Sequence, residues 1–333
     1  MTATTGRAGM TYSVEAWDPS YGTSSATEED EARPGSRAEV VADLELPEHE
    51  WRAIAPRAGV SHPPAVLFVD GVRRVDSRIW IDHEGGATLG LCASYASGVV
   101  LCRHGDQGKS AVIAGSDVRR GLFTTAVGAQ DIPAPAQHYR AHITDTQPST
   151  PLPVLLSSML QQRLAELEIT TAVAARERLE PGDDRDLLVI DGPLRGRQHL
   201  PRTIGYIKTH HSDYLPPELN QLVARLEPGQ RTPVFRMGTN WERHSWYLRL
   251  PYREGAPWAG IVRVECSADL TAADAIELAY LSQAVLVRYA SSEIKDPRAP
   301  QNLYPIAGLE KELRRRLGNP QLLHRALRTG RGR

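Results

Sequence analysis

The chain has 333 residues, which is longer than one average domain and enough for an α/β enzyme with added elements. Its formal net charge of -1 excludes a strongly basic protein, so affinity for nucleic acid has to come from local basic patches or from a partner. No signal segment and no apolar run of membrane-spanning length is present, and the three cysteines lack metal-ligand spacing. We therefore expect a soluble, cytoplasmic protein with no membrane association.

The two ends of the chain differ in composition from the middle. Residues 1–36 are rich in Thr, Ser, Gly and Ala and carry four consecutive acids, Glu28 to Glu31, which predicts a disordered acidic tail. Residues 321–333 predict a basic C-terminal tail. We expect one folded domain over residues 37–320.

An apolar run from Ala65 to Val69 predicts a buried strand that ends at Asp70-Gly71. Gly71 is expected to let the backbone turn tightly, which would leave the Asp70 carboxylate at the edge of a sheet, where a divalent cation could bind it. Asp-Gly is also a common turn dipeptide, so a hairpin without a catalytic role is the alternative.

Two further β-rich segments follow, over residues 77–86 and 87–105, joined by a turn at Gly85-Gly86. Three successive strands with short links predict an antiparallel meander whose first strand carries Asp70. The pair His83-Glu84 is explained by a polar hairpin tip rather than by a metal site.

The strongest helical pattern in the first half runs from Val154 to Arg178. Thr150 or Ser149 is expected to cap this helix, with Pro151 inside its first turn. The residues at helical spacing on its apolar face are Leu160, Leu164, Leu167, Thr171 and Ala174.

Glu168 lies at the border of that apolar face, whereas Glu166 points away from it. A carboxylate in this position can reach toward acids at strand ends, so Glu168 is predicted as a third acidic ligand. A solvated helix glutamate is the alternative.

The pattern of an apolar strand that ends in Asp-Gly recurs over residues 186–194, at Asp191-Gly192. Two aspartates at the ends of neighbouring strands are what a two-metal nuclease of the ribonuclease-H type needs, because both carboxylates then reach one pair of ions. The sequence thus predicts an α/β fold with a ribonuclease-H-like mixed sheet, flanking helices, and added β and C-terminal helical elements.

A further buried strand, Thr203 to Ile207, ends at Lys208, which could contact a scissile phosphate at the same edge of the sheet. The adjacent His210 and His211 remain weaker metal candidates, because consecutive strand residues point to opposite faces.

Three more β segments lie between residues 231 and 266, and Glu265 is expected at the rim of the sheet. A helix from Ala272 to Ser291 follows, with an apolar stripe for core packing. Near the end, Arg314, Arg315, Arg316 and the basic cluster beginning at Arg325 predict a nucleic-acid-binding surface, with a solvated helix face as the alternative.

The order of these segments resembles the NurA nuclease family. The likeness covers roughly residues 60 to 320 and depends on a series of short motifs rather than on one long motif. These are "VDG", an internal helix glutamate, "IDGPL", "IGYIKTHHSDYL", "FRMG", "WYLRL", "VRVE" and a late "YP".

The resemblance implies a ribonuclease-H-like domain that cuts DNA with Mn²⁺ or Mg²⁺. It also implies a homodimer that acts with a hexameric HerA-type ATPase in DNA end processing or anti-phage defence. The positions that match the family's site are Asp70, Glu168 and Asp191 as metal ligands, Lys208, and Tyr304 before Pro305.

One position departs from the family pattern. A histidine is expected about two helical turns after the tyrosine, but this chain has Glu312 in that region and its next histidine is His324. This departure favours a second hypothesis, a catalytically weak or inactive adaptor that docks on the ATPase. An actin-like sugar kinase, which also opens with Asp-Gly after a strand, is disfavoured because no Gly-rich phosphate loop is present.

Overall fold

The computed structural model describes residues 38–83, 86–105, 108–134, 138–179, 185–209, 214–251, 257–292 and 298–329. The predicted acidic tail and the His210-His211 pair lie outside these residues. The strands are β1 (Glu39–Val41), β2 (Ala65–His83), β3 (Gly86–Gly105), β4 (Gly108–Thr124), β5 (Arg140–Ile143), β6 (Leu187–Asp191), β7 (Thr203–Ile207), β8 (Phe235–Gly238), β9 (Glu242–Arg249) and β10 (Ile261–Ser267). The α-helices are α1 (Leu152–Arg176), α2 (Pro217–Ala224), α3 (Ala272–Tyr289), α4 (Tyr304–Arg316) and α5 (Pro320–Thr329).

The described strands form one mixed sheet in the order β1-β8-β9-β10-β7-β6-β2-β3-β4-β5. Strands β2, β3 and β4 make an antiparallel meander whose first strand carries Asp70, as predicted, but its second strand is the predicted third one and its third strand, β4, was not predicted. Strands β2, β6 and β7 run parallel to one another. Helix α1 follows the meander in the chain and leads into the parallel strands. The predicted fold class, a ribonuclease-H-like mixed sheet with flanking helices, is confirmed.

The first strand does not end where the sequence predicted. Strand β2 continues through Asp70 and Gly71, which pair with Gly98 and Ser97 of β3, and it runs on to His83. The predicted tight turn at Gly71 is therefore wrong, and residues 77–83 are the second half of the same strand. The long partner β3 accounts for this, because it continues the hydrogen-bonded ladder past the Asp-Gly pair.

Alternate residues of β2 face two different layers of helix. Val66, Phe68 and Val72 belong to a cluster that includes residues of α3 and α4, and we call this side of the sheet the α4 face. The neighbouring positions of β2 pack with Ala172 and Ala175 of α1, and we call the opposite side the α1 face. Strand β6 follows the same rule, with Val189 on the α4 face and Ile190 on the α1 face.

Helix α1 starts without a side-chain cap. Pro151 is its N-cap residue, and the hydroxyl of Thr150 donates to Gln147 Oε1 at 3.3 Å instead. The predicted cap at Ser149 or Thr150 is therefore wrong. The buried face of α1 includes Glu168, whereas Glu166 is exposed and pairs with Arg163, as the periodicity predicted.

No helix in the described part of the chain is both long and apolar enough to cross a membrane.

Candidate active site

Asp70 and Asp191 lie side by side on neighbouring strands. The parallel register of β2 and β6 pairs Val69 with Ile190, so the two aspartates are the next pair along, with their strands about 5 Å apart. Both follow the alternation of the α4 face, since Asp70 lies between Phe68 and Val72. The two carboxylates therefore share one side of the sheet.

Strand β6 ends at Asp191 because Gly192 has a φ of 116°, a conformation that favours glycine. Gly192 and Tyr206 exchange backbone hydrogen bonds of 2.9 and 3.1 Å, which hold the strand end against β7. Here the Asp-Gly pair behaves as the sequence predicted. Lys208, directly after β7, reaches Asp191 Oδ2 at 2.6 Å. The other oxygen, Oδ1, is buried and has no hydrogen-bond partner in the described residues.

The aspartates are buried close to other acids. Burial raises the pKa of Asp70 well above its usual range, and the charge of Asp191 raises it further, while Lys208 opposes the shift. Burial also raises the pKa of Asp191, and the charge of Glu310 adds to this, whereas Lys208 and Arg298 lower it. A bound cation would offset the repulsion between the two carboxylates.

Glu168 approaches this pair from the α1 face. It is 6% exposed, and its Oε2 forms an ion pair with the buried guanidinium of Arg197. Burial raises the pKa of Glu168, and the charge of Arg197 opposes that shift. A Cβ atom added to Gly71 would collide with Glu168 Oε1 and lie 2.7 Å from Leu164 Cδ1. Gly71 therefore provides space for Glu168 rather than a turn.

The faces on which Asp70, Asp191 and Glu168 lie determine whether they can hold a metal ion together. Asp70 and Asp191 face α4, whereas Glu168 comes over Gly71 from α1. No group of three or more His, Cys, Asp and Glu side chains in the described residues is arranged to hold a metal ion. The donor chemistry nevertheless suits Mn²⁺ or Mg²⁺, which prefer carboxylate oxygens, and Asp191 Oδ1 is a buried oxygen with no partner in the part of the chain that the structure describes. Asp70 and Asp191 thus fit a divalent ion as a pair.

On the α4 face, Lys208 also contacts Asn302 Oδ1 at 3.5 Å, just before the start of α4. Tyr304, the first residue of α4, is 40% exposed, and its hydroxyl accepts from the Ser292 amide at 3.1 Å. Asn302 is fully buried and was missed from the sequence, which offers no local signal for it.

Glu310 is a fourth acid that the sequence reasoning missed. Its charge raises the pKa of both Asp70 and Asp191. Burial favours a raised pKa for Glu310 itself, but hydrogen bonds from Arg314 and Arg298 lower it overall. Glu310 comes one turn after the buried Ile306, so the argument from helix faces that identified Glu168 could also have identified it.

Glu312, at the position expected for the family's histidine, is turned away from the acids. It pairs with Arg315 at 2.7 Å and with Arg316 at 2.8 Å, which lowers its pKa to about 2. Arg314 pairs with Glu310 at 2.8 Å. The predicted basic triplet of α4 is thus largely neutralised by glutamates of the same helix, whereas Arg325 lies on α5.

Comparison with known proteins identifies the family of the chain. The chain matches the family model described as the NurA domain over residues 64–315, well over half of its length. The crystal structure of the NurA nuclease from Sulfolobus solfataricus is similar, with a TM-score of 0.41 and 11% identity, over 80% of this chain and 84% of that one. No curated protein sequence matches. On the strength of the family match, the chain belongs to the NurA family of nucleases.

Proposed function

We propose that the protein is a metal-dependent DNA nuclease that uses Mn²⁺ or Mg²⁺. The observation that supports this most directly is the pair Asp70 and Asp191, adjacent on parallel strands, with one buried carboxylate oxygen that has no partner among the described residues. Glu168 is the third proposed ligand, since its charge already acts on Asp70. When bound, such ions activate water and stabilise the leaving oxygen of a phosphodiester.

Lys208 is proposed to contact the scissile phosphate. Its ammonium lies 2.6 Å from Asp191 Oδ2, so a phosphate held by metal ions at the aspartates would also be within its reach. Asn302 holds the other side of this ammonium. Tyr304 is proposed as a catalytic residue from the family resemblance, and its 40% exposure at the start of α4 leaves it accessible to DNA.

The resemblance also supports the proposal that a homodimer acts with a hexameric HerA-type ATPase, in DNA end processing or anti-phage defence.

The test compares Asp70→Ala and Asp191→Ala with the matched exposed control Asp117→Ala. We expect each site variant to lose manganese-dependent cleavage of linear DNA and to bind Mn²⁺ more weakly in titration calorimetry, with unchanged circular dichroism. The control should cut DNA like the wild type. Normal digestion by either site variant would refute the assignment.

The second candidate function is a non-cutting adaptor that docks on the ATPase. It is favoured by the pairing of Asp191 with Lys208 and of Glu168 with Arg197, and by the lack of a three-group metal cluster in the described residues. Incubating the wild-type protein with linear DNA and Mn²⁺, with and without the ATPase, separates the two functions. Stable ATPase binding without cleavage in either reaction would support the adaptor.

A further inference from the structure

A basic cavity lies against α5, at a distance from the candidate active site. Its volume is about 760 Å³, and it is lined by Asp76, Pro320, Gln321, His324, Arg325 and Arg328. Helix α5 begins after residue 315, so it is outside the segment that matches the family model.

Asp76, the one acid among the described residues that line the cavity, is already satisfied. The side chain of Asp76 is fully buried, and its carboxylate accepts from Arg74 at 2.9 Å, from Ser94 and from Tyr139 at 2.9 Å. The cavity is therefore lined by two guanidinium groups and an imidazole, whose Nδ1 lies 3.3 Å from the Asp76 carbonyl oxygen. Groups of this kind bind phosphate oxygens.

The helix that carries these cations is anchored to the sheet. Arg74 donates to the carbonyl oxygens of Gly318 at 2.8 Å and Leu317 at 3.3 Å, in the turn between α4 and α5. Leu327 packs into a buried cluster with Ile79, Cys92, Leu122 and Tyr139. The basic residues of α5 are thus held in place on the sheet, in contrast to a free basic tail.

The cavity and the aspartates share one face of the sheet. Ser94, which bonds Asp76, and Gly98, which pairs with Asp70, are four residues apart on β3 and therefore point the same way. Asp76 lies six positions after Asp70 on β2, or about 20 Å along the strand at about 3.3 Å per residue. This length corresponds to about six base pairs of duplex DNA.

Resting on the proposed nuclease function, we propose that the α5 cavity is a second contact for the DNA backbone, about 20 Å from the catalytic aspartates. Arg325 and Arg328 hold phosphates there, so that substrates long enough to span both sites bind more tightly than shorter ones.

The experiment measures DNA binding by fluorescence anisotropy in EDTA, where no cleavage occurs, as a function of salt. The test variant is Arg325→Gln/Arg328→Gln. The control, Arg52→Gln/Arg225→Gln, removes the same charge from exposed positions elsewhere on the chain. For a duplex of about 20 base pairs, we expect the test variant to bind about tenfold more weakly, with its salt slope reduced by about two. The control should match the wild type.

Two further measurements test whether the cavity acts together with the aspartate site on one DNA molecule and whether it binds a free anion instead. A hairpin with a stem of about five base pairs, too short to span both sites, should bind the test variant and the wild type equally. Inorganic phosphate should compete no better than chloride at equal ionic strength, and stronger competition would instead assign the cavity to a free anion.

Unchanged affinity and salt slope in the test variant, or an equal loss in the control, would overturn the proposal. Cleavage by the wild type in Mn²⁺ is scored separately. A protein that binds DNA through α5 but does not cut it would refute the nuclease function and leave the contact standing.

Discussion

Two regions of the sheet contain buried carboxylates, and they differ in how many positive groups pair with those carboxylates. In the β8 to β10 region, Glu265 is fully buried, pairs with Arg243 at 3.1 Å and Arg263 at 2.9 Å, and accepts the Leu194 amide at 2.7 Å. Glu265 was expected at the rim of the sheet, and this expectation is wrong because the two buried arginines draw its carboxylate inward.

The second region lies where β6 and β7 end beside the middle of β2. There Asp70 and Asp191 share one nearby lysine, an Asp191 oxygen has no partner in the described residues, and burial raises the pKa of both carboxyl groups. The comparison shows that burial of an acid does not by itself mark a site. A shortage of positive partners does, since it leaves charge for a ligand to neutralise.

The largest change in the free energy of unfolding should come from the β8 to β10 region, where Glu265 is paired with two arginines. Glu265→Gln leaves two buried guanidiniums without a counter-charge, so we expect the free energy of unfolding to fall by about 3–5 kcal/mol. Urea denaturation measures this loss. The control Glu277→Gln breaks only an exposed pair with Arg57 and should cost less than about 1 kcal/mol. Similar losses in the two variants would contradict the comparison.

Gly71→Ala should have an intermediate effect. The added methyl group meets Glu168 and Leu164, and overpacking of this kind costs about 1–3 kcal/mol. Displacement of Glu168 should also slow DNA cleavage. The matched control is Gly308→Ala in α4, where an added Cβ meets no atom within 4 Å, and it should be neutral or slightly stabilising. Thermal melting and cleavage assays of both variants check this, and wild-type behaviour of Gly71→Ala would count against the close approach of Glu168.

Asp70→Asn should change the free energy of unfolding least, and it should raise it. Because the folded-state pKa of Asp70 is raised, the folded protein binds more protons than the unfolded chain, so stability falls as pH rises from the unfolded pKa through the folded one. The variant lacks this loss and should be more stable than the wild type at pH 7 without metal. The gain should disappear below about pH 4.

Urea denaturation across that pH range measures the difference. Asp117→Asn, at an exposed aspartate paired with Arg119, should show no such gain. If Asp70→Asn were less stable than the wild type at pH 7, the result would contradict the excess of negative charge around Asp70.

Several features of the site could be predicted from local sequence patterns. The apolar runs before Asp70 and Asp191 predicted two buried strands, and the helical periodicity of α1 placed Glu168 near its packed face and Glu166 outside it. The predicted strand Thr203 to Ile207 matches β7. These predictions succeed because alternation in a strand and a 3.6-residue period in a helix are local properties of the chain.

Other features could not be predicted in this way. The end of the first strand was misplaced because the long ladder with β3, rather than the Asp-Gly pair, determines where β2 stops. Arg197 follows the second Asp-Gly strand without a periodic signal, and only folding brings it to Glu168, 29 residues earlier. Asn302 reaches Lys208, and the charge of Glu310 acts on the aspartates, only once the chain around α4 has packed.

By itself the sequence determined the types of the elements, the positions of two strand-borne aspartates and the family to which the chain belongs. The tertiary structure decided the face on which each acid lies, which of them have positive partners, and that α5 forms a basic cavity on the aspartate side. The physical reason is that local patterns specify how a segment folds, whereas the charge balance of a buried group depends on segments that are distant in the chain and meet only when the layers pack.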